Sequence, residues 1–332
     1  MTTFNTLKCG SFVREWSLVG GIADVPWAPS PFCKAGPGLA DAPVPDFASH
    51  GGNCAANYRH APGLGVWGLT PTGLWEDQCG TSFAAPILAR DSAIALQTLQ
   101  GVCPSGSHPF AVAAKALLAL TADGVELPAR FKDAAERTLG FGQASPSRLT
   151  TPDAATALFV WQGVLNHKND IARVVIVVPR AWLEAAGDPV CDVAVSWDTP
   201  VNAAFPNVYG CRRVDFKLKP SPDADAVRGS RGSHASYPLR VRTYGLKKTL
   251  DDGLVNDDVW TIELNYEEMC DYPPTQNFTP EQRVGLALRL RDRDNLAGPQ
   301  AAVQASGVAA TMTRLSAVPV PVQVPVTVKN PV

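Results

Sequence analysis

Seven consecutive residues, Gly80-Thr81-Ser82-Phe83-Ala84-Ala85-Pro86, have the types and order that could do covalent chemistry. A Gly/Pro/Trp-rich approach precedes them and a strongly apolar run follows, so the hydroxyl of Ser82 falls where loop becomes helix. The first N–H groups of a helix have no intrahelical partner and point at whatever sits beyond the helix end, which suits an oxygen nucleophile and the oxyanion it creates. The plainer use of the same residues is capping: Thr81 or Ser82 can accept a hydrogen bond from a first-turn N–H. A serine hydroxyl is a weak nucleophile unless an imidazole takes its proton, and that imidazole needs a carboxylate to hold its tautomer. The arrangement suits a nucleophile.

As a whole, the string Gly-Thr-Ser-x-Ala-x-Pro, with every fixed position present, resembles the nucleophile signature of subtilisin-like serine peptidases, with Ser82 as the catalytic serine. Segments upstream resemble the same family in the same order. Val19-Gly20-Gly21 stands for a "Val-Gly-Ala" strand, Pro31-Phe32-Cys33 opens a turn-rich loop that runs to Gly38, and Pro45-Asp46 leads into Gly51-Gly52-Asn53. Leu139-Gly140-Phe141-Gly142 resembles the Gly-Tyr-Gly that closes the peptidase domain. The likeness covers roughly residues 15–150 and implies a polypeptide substrate and no cofactor. The spellings around Pro31 and Asn53 are most similar to a bacterial, intracellular branch encoded beside AAA-type ATPases, which implies such an ATPase as a partner.

The family pattern is incomplete. Subtilisin order is Asp, His, Ser, with the histidine about 150 residues before the serine, whereas 81 residues precede Ser82. His50 lies 32 residues before Ser82 and follows Pro45-Asp46, as the structural Gly-Gly segment does; Asp46 belongs to that same turn. His60 has no supporting context, and His108, His167 and His234 follow the serine. The family's oxyanion asparagine lies about 65 residues upstream of the serine. Asn5, 77 residues upstream, is the candidate, although Phe4-Asn5-Thr6 lacks the Ala-Gly-Asn context. The resemblance therefore implies a portion of an endopeptidase that works through an acyl-enzyme on Ser82. Its triad Asp and His would come from an absent N-terminal half, and the chain alone would be inactive. The alternative is a non-catalytic binding module derived from such a peptidase.

Composition sets outer limits. The chain has 332 residues, 45% apolar and 18% charged, with a formal net charge of −2. It is long enough for one large or two ordinary domains and lacks a basic footprint for nucleic acid. No apolar run reaches membrane-spanning length and no signal peptide is visible. Eight cysteines without a C-x-x-C pair read mainly as reduced cytoplasmic thiols, while their even number leaves disulfides in a secreted protein open. Asp251, Asp252, Asp257 and Asp258 lack the Asp-x-Asp-x-Asp spacing of a calcium loop and read as a solvated turn, so no metal site is expected.

The elements that must position Ser82 follow from periodicity. Trp16–Ile22 reads as a buried strand whose neighbour would belong to the absent half, leaving its edge uncovered. Residues 83–99 read as a well-buried helix with Pro86 in its first turn, and residues 110–120 as a second helix. Six β-branched runs follow, near residues 172–179, 191–197, 214–218, 239–244, 259–264 and 284–290. They predict an antiparallel sandwich. Val195-Ser196-Trp197-Asp198-Thr199-Pro200 resembles a strand end common in the jelly-roll-like domains of subtilases. The expected fold class is α/β. The C-terminal half of a parallel-sheet peptidase domain (1–150) precedes an antiparallel β-sandwich (155–297) and an Ala/Val/Pro-rich tail (298–332).

Overall fold

The structure, a computed structural model, describes residues 7–14, 17–38, 44–103, 107–122, 137–150, 154–165, 171–200, 210–221, 224–229, 238–255, 258–269, 281–305 and 313–315. They combine helices with one parallel strand pair and several open antiparallel sheets. The chain divides into two compact units: residues 1–94 with 121–146, and residues 95–120 with 147–332. The division runs through a helix and groups residues 95–120 with the later sheets, whereas the sequence places its first boundary at residue 150.

In the first unit, β1 (Cys9–Phe12) pairs in parallel with β2 (Phe47–His50), from Cys9 opposite Phe47 to Phe12 opposite His50. Every residue of β2 is buried, as a parallel pair requires. The strand expected at Trp16–Ile22 is not formed by its described part, residues 17–22; Trp16 lies outside the described residues. Residues 17–22 run through turns closed by Ser17 N–H to Arg14 O and Gly21 N–H to Leu18 O, and Val19 is 91% exposed. Gly20 takes a left-handed φ of 80°, and Asn53 packs so tightly on Gly21 that any side chain there would collide with it. The glycines that looked like the end of a strand are turn and contact positions. The outer edge of β1 is covered as well: Val13 N–H donates to Ala28 O, Ser30 N–H to Ser11 O, and Ser11 N–H to Cys33 Sγ. Residues 28–33 thus lie along the outer edge of β1.

A hairpin of β3 (Val66–Leu69) and β4 (Trp75–Gln78) follows. It leads into α1 (Thr81–Val102), which is buried along one stripe at 4-3-4-4 spacing: Ala84, Leu88, Asp91, Ala95 and Leu99. Ala85, Pro86, Ala89, Ala93 and Gln97 are exposed, so the helix is not buried all round. Pro86 is its sixth residue, past the first turn, and has no N–H to give the Ser82 carbonyl.

The second unit contains a three-stranded antiparallel sheet and a five-stranded one. The first joins β6 (Ile171–Val177), β10 (Val259–Glu268) and β8 (Arg212–Lys219) in the order β6-β10-β8. The second has the order β12-β5-β11-β7-β9, from β5 (Thr156–Leu165), β7 (Pro189–Trp197), β9 (Leu239–Gly245), β11 (Gln282–Asp292) and β12 (Thr313–Leu315). Alternate residues of both sheets enter one core, including Phe159, Val193, Trp197, Leu286 and Leu288 from the larger sheet and Val174, Phe216, Trp260 and Ile262 from the smaller. All six runs read from the sequence are strands. Most of the Ala/Val/Pro-rich tail expected at 298–332 lies outside the described residues.

All nine residues of β7 are buried, so the larger sheet is covered on both faces. One cover is α2 (Ala111–Thr121), whose approach is anchored by Phe110 N–H to Gln162 Oε1 of β5 at 2.7 Å. A Cβ on Gly285 of β11 would stand 2.3 Å from the Ala113 backbone, so glycine is what lets the helix lie on the sheet. Gly285→Ala is expected to destabilise the fold by about 2–3 kcal/mol, because backbone rather than a flexible side chain must yield. Urea unfolding of the variant against the parent checks this; equal midpoints would show that α2 is free to lift.

Short helices α3 (Ser147–Thr150), α4 (Arg180–Ala185), α5 (Lys247–Asp251) and α6 (Pro299–Ala305) complete the unit. Trp182 of α4 is buried in the core and its Nε1–H donates to Ala297 O at 3.0 Å. Among the described residues no helix is long and apolar enough to cross a membrane.

Candidate functional site

Ser82 is the second residue of α1 and is exposed. The turn that presents it is built from glycine. Gly80 has φ 154°, its N–H donates to Gly51 O at 2.8 Å, and its carbonyl accepts from Phe83 N–H. Gly51 directly follows β2, and a Cβ there would meet Ser11 of β1 at 2.6 Å and the Gly80 carbonyl at 3.0 Å. Three backbone segments therefore converge at van der Waals distance beneath the start of α1, which only small residues permit. The local sequence logic holds: a hydroxyl at a helix N-terminus, held from below by the parallel pair.

Pro45-Asp46 and Gly51-Gly52-Asn53 act as structural segments, as the sequence reading has them. The buried Asp46 carboxylate accepts from Lys8 N–H at 3.0 Å, and the Lys8 Nζ lies 3.8 Å away. Gly140, at φ 60°, leaves no room for a Cβ against the Pro45 and Asp46 carbonyls, and Ala48 N–H donates to Gly142 O. Asn53 is fully buried and ties together Ser17, Ala23 and Cys54 through four side-chain hydrogen bonds. Asn5, the oxyanion candidate, lies outside the described residues.

His50 ends β2 and is 7% exposed, its Nδ1 3.3 Å from Phe12 O. Burial pushes its pKa down and the Arg14 guanidinium adds to this, while backbone groups of Phe12 and Gly65 oppose it. Arg14 itself stacks on Trp27 and Phe12, at 4.5 and 5.4 Å from their ring centres.

One constellation beside the Gly80 turn had no signal in the sequence. His60 Nε2 lies 3.3 Å from Asp77 Oδ2, and the same oxygen accepts from Gly63 N–H at 2.8 Å and Gly65 N–H at 3.1 Å. Asp77 is 4% exposed. Burial alone would raise its carboxyl, but the hydrogen bonds from Gly65, His60 and Gly63 outweigh that and hold it below the usual carboxylate value. The pair fastens residues 60–65 to β4 just before Cys79 and Gly80. Its two partners come from different segments, and only the closure of the hairpin brings them together. Asp77→Ala is expected to raise amide exchange at Gly63 and Gly65 about 10- to 100-fold, the equivalent of the 1–3 kcal/mol of an unsatisfied buried group. Hydrogen exchange of the two amides measures this, and unchanged protection would show the loop to be held elsewhere.

The hairpin also exposes four large apolar side chains: Trp67, Leu69, Leu74 and Trp75, between 59 and 69% exposed. Among the described residues no three His, Cys, Asp or Glu side chains gather as metal ligands, and the seven described cysteines are free thiols. Burial and the neighbouring Cys33 push the Cys9 thiol up to about 12. Asp251 and Asp252 close α5 at an exposed turn, and Asp258 accepts from Arg180 N–H; Asp257 lies outside the described residues.

No protein-family model matches this chain, and no curated protein matches it either. The functional reading therefore rests on the residues themselves.

Proposed function

We propose that this chain is the C-terminal portion of a subtilisin-like serine endopeptidase in which Ser82 is the acylated nucleophile. The observation that carries the reading is the exposed Ser82 hydroxyl at the start of α1, on a glycine turn braced by a parallel strand pair. In the proposed reaction Ser82 Oγ attacks the scissile carbonyl of a polypeptide. The hydroxyl proton passes to an imidazole, the carbonyl oxygen becomes an oxyanion beside the Ser82 N–H, and the amine leaves with that proton. Water then resolves the acyl-enzyme. The exposed Trp67, Leu69, Leu74 and Trp75 offer an apolar surface beside the turn for an extended chain.

The histidine and aspartate of the triad would be supplied by a polypeptide segment outside these 332 residues, and the two antiparallel sheets would form a jelly-roll-like sandwich downstream. An AAA-type ATPase is the proposed partner that delivers substrate. Complementation is the test. Mixing the chain with a subtilase N-terminal half that carries Asp and His should generate peptide hydrolysis that Ser82→Ala abolishes. Stable association without Ser82-dependent hydrolysis would favour the non-catalytic binding module instead.

A further inference from the structure

Three arginines meet between the end strands of the two sheets in the second unit. β8 ends the three-stranded sheet and β9 ends the five-stranded one. Arg240 Nη1 and Arg242 Nη2 of β9 reach across to one oxygen, Asp215 Oδ1 of β8, at 3.1 and 2.8 Å. Arg242 Nη1 also donates to the Phe216 carbonyl, and its guanidinium lies 4.7 Å from the Phe216 ring centre. Arg213 stands two residues before Asp215, on the same face of β8 and opposite Glu267 of β10. Val227 N–H donates to Leu218 O and Gly229 bridges to Tyr244, which sets residues 227–229 at one end of this gap and the arginines at the other.

The carboxylates present leave donors unused. Asp215 divides one oxygen between two guanidinium groups. Glu267 is half-exposed, and its Oε2 lies 3.8 Å from Arg213 Nε, beyond hydrogen-bond range. Glu263, on the same face of the sheet, is held by Arg173 at 3.1 Å and Lys219 at 3.0 Å. Arg213 Nε is buried without an acceptor. Among the described residues, Arg240 donates only through Nη1, so its Nε and Nη2 are unused as well. The three arginine side chains are between 18 and 32% exposed, partly withdrawn from water yet within reach of a ligand. Burial lowers the pKa of Arg240, the Arg213 guanidinium adds to this, and Asp215 opposes it. Three guanidinium groups against two carboxylates leave a positive charge at a half-buried place, where charge is costly unless paired. Planar N–H forks carried on strands match the paired oxygens of a phosphate or carboxylate.

We propose that Arg213, Arg240 and Arg242 form an oxyanion-binding site between β8 and β9. The inference is independent of the chemistry at Ser82. The site takes a group with two or more acceptor oxygens. Arg213 and Arg240 donate to it, and Arg242, fixed on Asp215 and the Phe216 carbonyl, supplies charge beside them.

The experiment is calorimetric titration of the full chain with inorganic phosphate and, separately, with succinate, at ionic strength fixed with sodium chloride. Saturable binding is expected for at least one probe. Phosphate alone would assign a phosphoryl ligand, and succinate alone a carboxylate ligand. Arg240→Ala should weaken the binding about tenfold or more. Arg213→Ala should weaken it about fivefold or more, and Arg213→Lys less, because charge remains while the fork is lost. Should Arg240→Ala fail to fold by far-ultraviolet circular dichroism, Arg213→Ala carries the test, since that side chain makes no hydrogen bond whose loss would unfold the sheet. Absence of saturable binding by both probes, or binding unchanged in the folded arginine variants, would overturn the site.

Discussion

Purified alone, the chain is expected to leave a fluorophosphonate probe unreacted at Ser82 and to hydrolyse peptides about 10⁵- to 10⁶-fold more slowly than the complemented enzyme. Removing the histidine of a triad costs about that much, because the serine loses its proton acceptor while donors to the oxyanion and substrate contacts persist. The histidines described in the first unit do not offer a substitute for free. His50 is 7% exposed with its Nδ1 on Phe12 O, and burial biases it to the neutral form. His60 is engaged with Asp77, in the segment that braces the hairpin. Mass spectrometry after labelling reads the result directly. Rapid modification of Ser82 in the isolated chain, lost in His60→Ala, would show that the His60–Asp77 pair serves as a local base and that no second segment is needed. Labelling that appears only after complementation, and is lost in Ser82→Ala, is the expected outcome.

The second large effect concerns the second unit. Asp292 closes β11 with its carboxylate facing five backbone N–H groups: Gly187, Asp188, Asp294, Leu296 and Ala297, at 2.9–3.2 Å. Burial would raise its pKa, but these donors overcome it and hold the carboxyl at about 2. Asp292→Ala orphans the donors in a site 3% exposed and is expected to cost about 3–5 kcal/mol, enough to unfold a marginal domain. The pH dependence has a definite sign. The folded carboxyl is more acidic than the unfolded one, near 3.9, so its contribution is complete above about pH 4 and is lost as pH falls toward 2. Linkage makes that contribution about 2.5 kcal/mol. The stability gap between parent and Asp292→Asn should therefore narrow by about 2 kcal/mol between pH 5 and pH 2. Urea midpoints across that range measure it, and a gap constant with pH would mean that the carboxylate charge does not matter there.

Much of the scaffold is legible in the sequence. Residues 83–99 have the helical spacing of α1, and the β-branched runs at 191–197 and 259–264 carry the alternation of strands that bury one face. Both signals are local, because a side chain's place on a helix stripe or a strand face is set by its near neighbours. Trp16–Ile22 shows where such reading fails. An apolar run ending in glycines fits a strand or a turn equally well, and the choice fell to Asn53, thirty-odd positions later, packing on Gly21. The true strand, Cys9–Phe12, is four residues of mixed polarity whose partner lies beyond the next loop.

By itself, the sequence determined that a serine hydroxyl stands at a helix start behind a glycine turn, since Gly80-Thr81-Ser82 and the helix-forming run after it are adjacent in the chain. Only the tertiary structure decided what meets around that turn. Gly51 and Ser11 lie beneath Gly80, His60 meets Asp77 across the hairpin, Ala113 rests on Gly285, and Arg289 and Arg291 share Asp192. Each of these joins residues well separated in the chain. Such proximities depend on which faces are buried together, because close packing and the cost of unpaired buried charge act through space rather than along the backbone.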